Sequence, residues 1–142
     1  IPSLRQELAS KDPLRRSLAA RALGVLHDRH SIDGLIGLTS SDDAMCAESA
    51  AEALKEVTCA NFGVDPRAWT SWWAGARQRR RLEWLIDALA ADDFDSRLSA
   101  IEELSIAFSD NLGFFADGPK PEREAALIRW KNFVQARKDL DL

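Results

Sequence analysis

The sequence predicts an all-α protein, an α-solenoid of stacked antiparallel helix pairs with extra aromatic helices after the second and third pairs. Three observations carry that expectation. Apolar residues recur three and four apart along nearly the whole chain, with no alternating segment that would suit a strand. Asp-led turns punctuate the apolar runs, and an alanine-rich segment returns in the same frame. The 142 residues, 46% of them hydrophobic and none of them tyrosine, suit a single helical-repeat domain over 1–142. A chain of that length buries about two-thirds of its unfolded surface.

The elements follow in order. Ile1, Leu4 and Leu8 form a short stripe. Asp12-Pro13 starts a helix, because Asp accepts free first-turn N–H groups and Pro suits the first helical position. That helix runs to about Leu26, with Leu14, Leu18, Ala22 and Val25 on its apolar face and Ala19, Leu23 and Leu26 on the flank. A short helix follows around Ile32, Leu35 and Ile36, then SSDD at 40–43 as a capping turn and a helix over 43–58. Gly63 breaks the chain with a positive φ, and Asp65-Pro66 opens a helix over 66–75. Leu82, Leu85, Ile86 and Leu89 place the next helix over 78–91. ADDFD restarts the pattern for 94–108, and a loop over 109–121 leads to a last helix over 122–138.

Three segments share a frame: DPLRRSLAARAL (12–23), DAMCAESAAEAL (43–54) and DFDSRLSAIEEL (93–104). Each has Asp, then Ala seven on, then Leu eleven on; Ala19, Ala50 and Ala100 are small where two helices approach closely. Arg16 and Arg97 stand one turn after their Asp, where they can share a cap and an ion pair. Ahead of the second and third copies stand IDGLIGL (32–38) and WLIDAL (84–89), making two-helix units that must stack on neighbours to bury their apolar faces.

On these residues the chain resembles the HEAT and HEAT-like helical repeats. The carriers are Asp12, Arg16, Ala19, Ala20, Leu23, Gly24 and Leu26, matched in the third copy at Asp93, Arg97, Ala100 and Leu104; the second copy has Ala47 in place of the arginine. The resemblance covers roughly 1–58 and 82–108 and implies a curved scaffold for protein partners, the role of most members; a minority bind nucleic acid or act on bilins or alkylated bases. A longer repeat encloses the short one, in which an alanine-rich helix is followed by a Gly/Phe loop and an aromatic helix. It gives an incomplete repeat over 1–29, a first module over 30–75 and a second over 78–138.

DPRAWTSWWAGARQRRR (65–81) puts three tryptophans and five arginines in seventeen positions. Trp69, Trp72, Trp73 and Ala76 lie at the spacing of one helix face; Trp69 and Trp72 are read as core, and Trp73, about 100° round from Trp72, as the middle case between core and partial exposure. Arg79 and Arg80 precede Glu83 by four and three, so intrahelical pairs account for them, whereas Arg77 and Arg81 have no partner nearby in sequence. Arginine beside tryptophan is the composition of interface hot spots. Trp73, Arg77, Arg79, Arg80 and Arg81 are therefore the expected partner-binding residues. An acidic or phosphorylated segment would suit them, and a basic segment the acidic C-terminal half.

Other classes find less support. The net charge of −4 opposes non-specific nucleic-acid binding, so a nucleic-acid or phosphate site at Arg77–Arg81 is the alternative reading. No catalytic constellation, cofactor motif or metal set emerges. HDRH (27–30) lacks further ligands, and Cys46 and Cys59 are read as small apolar side chains. No run reaches the roughly 18 apolar residues of a membrane span. With neither a span nor a signal segment, a cytoplasmic setting is the default expectation. The Ile1-Pro2 start, without methionine, suggests a processed or excised piece of something longer.

Overall fold

The computed structural model describes residues 1–142 and is helical throughout, with eight α-helices, one 3-10 turn and no strand. The elements are α1 (Pro2–Glu7), α2 (Pro13–Val25), the 3-10 turn Arg29–Ser31, α3 (Ile32–Leu38), α4 (Ala44–Thr58), α5 (Pro66–Ala76), α6 (Arg81–Ala88), α7 (Phe94–Phe108) and α8 (Lys120–Gln135). They fall into two compact units, Ile1–Gly75 and Ala76–Leu142.

Helix starts sit where the capping chemistry puts them. Asp12, Asp43 and Asp93 accept the N–H of Leu14, Cys46 and Ser96 at 3.0, 3.2 and 3.0 Å. Asp65 accepts from Arg67 and Ala68 at the entrance to α5. Arg16 and Arg97 take up a different task from the expected pairing with the capping carboxylate. Arg16 donates to the carbonyl of Ser10, and Arg97 to those of Ala91, Asp92 and Ala116. Each guanidinium ties down the turn that leads into its own helix, which a carboxylate already occupied by first-turn N–H groups leaves it free to do.

In the first unit α2 lies along α4, and α3 also packs on α4. The inward face of α2 is the small one, with Ser17, Ala19, Ala20, Leu23 and Gly24 buried. Leu14, Leu18 and Val25 remain 54, 54 and 70% exposed. The apolar face expected from the spacing is thus the outer one; Ala19 and Leu23 of the flank are core, while Leu26 is 51% exposed. Close approach explains the inversion: a Cβ on Gly24 would stand 2.8 Å from the Cα of Ala53, so only small residues fit this contact. Across it the Ser17 and Ser49 hydroxyls meet at 2.6 Å. Cys46 and Cys59 are buried and not joined in a disulfide, and the Cys46 thiol donates to the Pro13 carbonyl at 3.2 Å.

The second unit repeats the frame of the first fifty residues on, Asp43 answering to Asp93 and Gly63 to Gly113. The N–H groups of Thr39 and Leu89 each donate to the equivalent pair of carbonyls, Leu35 and Ile36 or Leu85 and Ile86. Both alanine-rich helices end in a left-handed residue, Cys59 (φ 60°) and Ser109 (φ 56°). Asn61 and Asn111 then accept the N–H of Gly63 and Gly113, two glycines at positive φ. The loop is tied back by an indole each time: Trp69 donates to the Gly63 carbonyl at 2.8 Å and Trp130 to that of Asn111 at 2.9 Å. Both rings are fully buried, as are Ala50, Ala100, Leu23, Leu54 and Leu104 of the repeat frame.

Candidate binding groove between α6 and α8

The segment before α6 is a turn, and its arginines scatter in direction. Arg81 opens α6 pointing inward. It is 2% exposed and forms a bidentate pair with Glu103 of α7, its Nη2 lying 3.0 Å from Oε2. The surface position expected for Arg81 therefore does not exist; a partner 22 residues away neutralises it inside the unit. Arg80 donates to the carbonyls of Arg137, Leu140 and Val134, at 2.8, 2.7 and 3.4 Å. With its Nε on Glu83 it clamps the carbonyls at the end of α8 and just beyond it. Arg79 pairs with Asp87 and, at 3.3 Å, with Glu83. Arg77 is exposed.

Trp73 lies inward. It is 8% exposed, and its indole N–H donates to Asp33 of α3 at 3.1 Å. Trp72, expected in the core, is the half-buried ring, stacked on Trp73 with centroids 6.0 Å apart. The polar edge of an indole decides between two neighbouring rings: Trp73 finds an acceptor at the helix contact, so it is the one taken in. It belongs to the first unit and the arginines to the second.

Two of the five do line a common surface. An open groove of 730 Å³ runs between α6 and α8, with Ile86 and Val134 among its apolar lining residues and Arg79, Arg80, Lys131 and Lys138 as cations. Glu83 and Asp87 supply the only carboxylates, and Gln135 a neutral amide. Burial raises the affinity of the Glu83 carboxyl for its proton, but hydrogen bonds from Arg80 and Arg79 outweigh it and hold the group below the usual glutamate range. Both carboxylates are thereby engaged by arginine. Lys131 and Lys138 are exposed and enter no ion pair. Their spacing of seven, with Val134 between them, was a readable signal for one side of a helix end. It was missed because α8 lies fifty residues from the arginine run.

Neither histidine joins a metal set. The Asp28 carboxylate of HDRH accepts two hydrogen bonds of 2.7 Å from Arg5, which lower its proton affinity against the opposing effect of burial. No group of three or more His, Cys, Asp or Glu side chains is placed to hold a metal ion, and no helix is long and apolar enough to cross a membrane. No known protein-family model matches the chain, and no curated protein matches it.

Proposed function

We propose that the chain is a HEAT-like α-solenoid module that binds proteins without catalysis, and that the α6–α8 groove receives an acidic or phosphorylated segment of the partner. The groove's charge carries this reading: four cations face two carboxylates there, in a chain whose net charge is −4. Lys131 and Lys138 are the cations left to meet a partner, while Arg79 and Arg80 set the groove's walls. Ile86 and Val134 offer an apolar strip that rewards a side chain between the partner's acids, as a charged rim around an apolar centre does at other interfaces. The solenoid reading rests on the Asp-capped Ala/Leu frame in α2, α4 and α7 and on the leading helices α3 and α6 packed against α4 and α7.

The test uses Lys131→Glu/Lys138→Glu, which touches no internal pair and should leave stability within about 0.5 kcal/mol. An Asp/Glu-rich peptide with leucine anchors, measured by titration calorimetry, should bind wild type and lose about tenfold or more in affinity to the double variant. A wild type that ignores the peptide, or a double variant that binds it equally, ends the proposal. Tight single-stranded DNA binding, its log K falling at about −0.7 per phosphate neutralised against log[salt], would favour nucleic acid in its place.

A further inference from the structure

Two apolar surfaces are left open, and they carry opposite charge. The first is the outer face of α2, where Leu14, Leu18 and Val25 form a stripe. Arg21 borders it on one side and Arg15 on the other, both exposed. The repeat frame does not demand two of these side chains: α7 carries Asp95 and Ser99 where α2 carries Leu14 and Leu18, while Ile106 answers to Val25. The second surface is a groove of 510 Å³ between α7 and the 109–119 loop. Phe94, Leu98, Ile101, Ile106 and Phe115 line it, Glu102 and Asp117 supply its charge, and no cation is among its lining residues. Here too the frame is silent, since α4 has Ala44, Glu48, Ala51 and Glu56 where α7 has Phe94, Leu98, Ile101 and Ile106.

The groove is also held ready. Trp130 ties the loop at Asn111, Arg97 ties it at Ala116, and Asp110 and Asn111 close tight turns within it. Phe114 is buried beside this frame while Phe115 stands 59% exposed. Ile106 is 83% exposed and Phe94 43%. Exposed apolar residues gathered in one place mark a contact surface when they are rimmed with charge.

We infer that the occupant is a second copy of this chain: the α2 stripe of one molecule seats in the α7 groove of the next, with Arg15 and Arg21 meeting Glu102 and Asp117. A helix offering three aliphatic side chains between two arginines is the ligand that an apolar, acid-rimmed groove selects. The contact joins two different surfaces, so each added molecule presents a fresh stripe and a fresh groove. Association then grows with concentration, into a closed ring of two or more copies or an open chain.

Sedimentation velocity on the 142-residue chain over a concentration series tests this. Wild type should show species of dimer size or larger that grow with concentration. Leu18→Glu and Phe115→Glu should each be monomeric alone, and their equimolar mixture should form a one-to-one dimer and stop, because one keeps only its groove and the other only its stripe. Ile106→Glu replaces Phe115→Glu if circular dichroism shows that variant unfolded. Arg21→Glu should weaken association about tenfold, and Glu102→Arg should restore it in the same molecule. Lys131→Glu/Lys138→Glu should leave association unchanged, which separates this contact from the α6–α8 groove. A wild type that stays monomeric throughout, a Leu18→Glu variant that still associates with itself, or a mixture that forms no dimer overturns the inference.

Discussion

Gly34 and Trp84 stand fifty residues apart at the same place in the two units, one on α3 and the other on α6. In the first unit Leu8, following α1, fills the space over the glycine: a Cβ on Gly34 would come within 3.0 Å of the Leu8 side chain. The second unit fills the position with its own ring, 2% exposed, whose indole N–H donates to the Ala76 carbonyl at 3.0 Å. One backbone frame has two ways of covering its leading helix. An added segment spreads the contact over several residues, none of them buried in α1 itself. A single large side chain concentrates it. Concentrated burial is the more fragile arrangement, since one truncation empties the site.

The largest effect should therefore come from Trp84→Ala, which leaves a cavity and takes one of two donors from the Ala76 carbonyl, the Arg79 N–H remaining. A loss of about 3–5 kcal/mol is expected in urea unfolding. Its counterpart Leu8→Ala removes a half-exposed side chain and should lose about 1 kcal/mol. Equal losses in the two variants would break the comparison, because they would mean that the added segment carries as much as the ring.

The units also differ one step earlier. Ser31 sits where the second unit has Arg81, and it satisfies itself locally, donating to the Asp28 carbonyl at 2.7 Å. Arg81 needs Glu103. Arg81→Ala strands that carboxylate at a partly covered position, and a loss of about 3 kcal/mol is expected, the lower end of what breaking a buried pair costs. Arg81→Met, which refills the volume, should lose no less while Glu103 stays charged; paired with Glu103→Leu it should recover most of the stability. Failure of that double variant to recover would show that Arg81 acts through something other than the pair.

These contrasts also mark what the sequence could reveal. Asp12, Asp43, Asp65 and Asp93 act through local hydrogen bonds, so the helix entrances they cap were legible, as was the fifty-residue frame with its Gly63 and Gly113 turns. Contacts between distant segments were not. Periodicity shows that α2 has an apolar stripe, but whether Leu14 and Leu18 or Ala19 and Ala20 go inward depends on how closely α4 approaches. The choice between Trp72 and Trp73 depended on Asp33, forty residues from Trp73. The Arg80–Glu83 pair was legible at helical spacing, but the α8 end that Arg80 also holds and the Glu103 partner of Arg81 lie beyond any such spacing.

The smallest effects test close approach itself, with two glycines of the first unit. Gly24 faces the Ala53 backbone at a distance no Cβ tolerates, while nothing lies within 4 Å of a Cβ built on Gly37 in α3. Alanine in a helix gains about 1 kcal/mol over glycine when space allows. Gly37→Ala should therefore stabilise the protein by about 0.5–1 kcal/mol. In Gly24→Ala the same propensity gain is opposed by pushing α2 off α4, an overpacking cost of about 1–3 kcal/mol, so the net change should be zero or a loss of up to about 2 kcal/mol. Urea midpoints of the two variants, each against wild type, give the comparison directly. A Gly24→Ala variant stabilised as much as Gly37→Ala would mean that α2 can shift outward at no cost, and the small-residue face would lose its explanation.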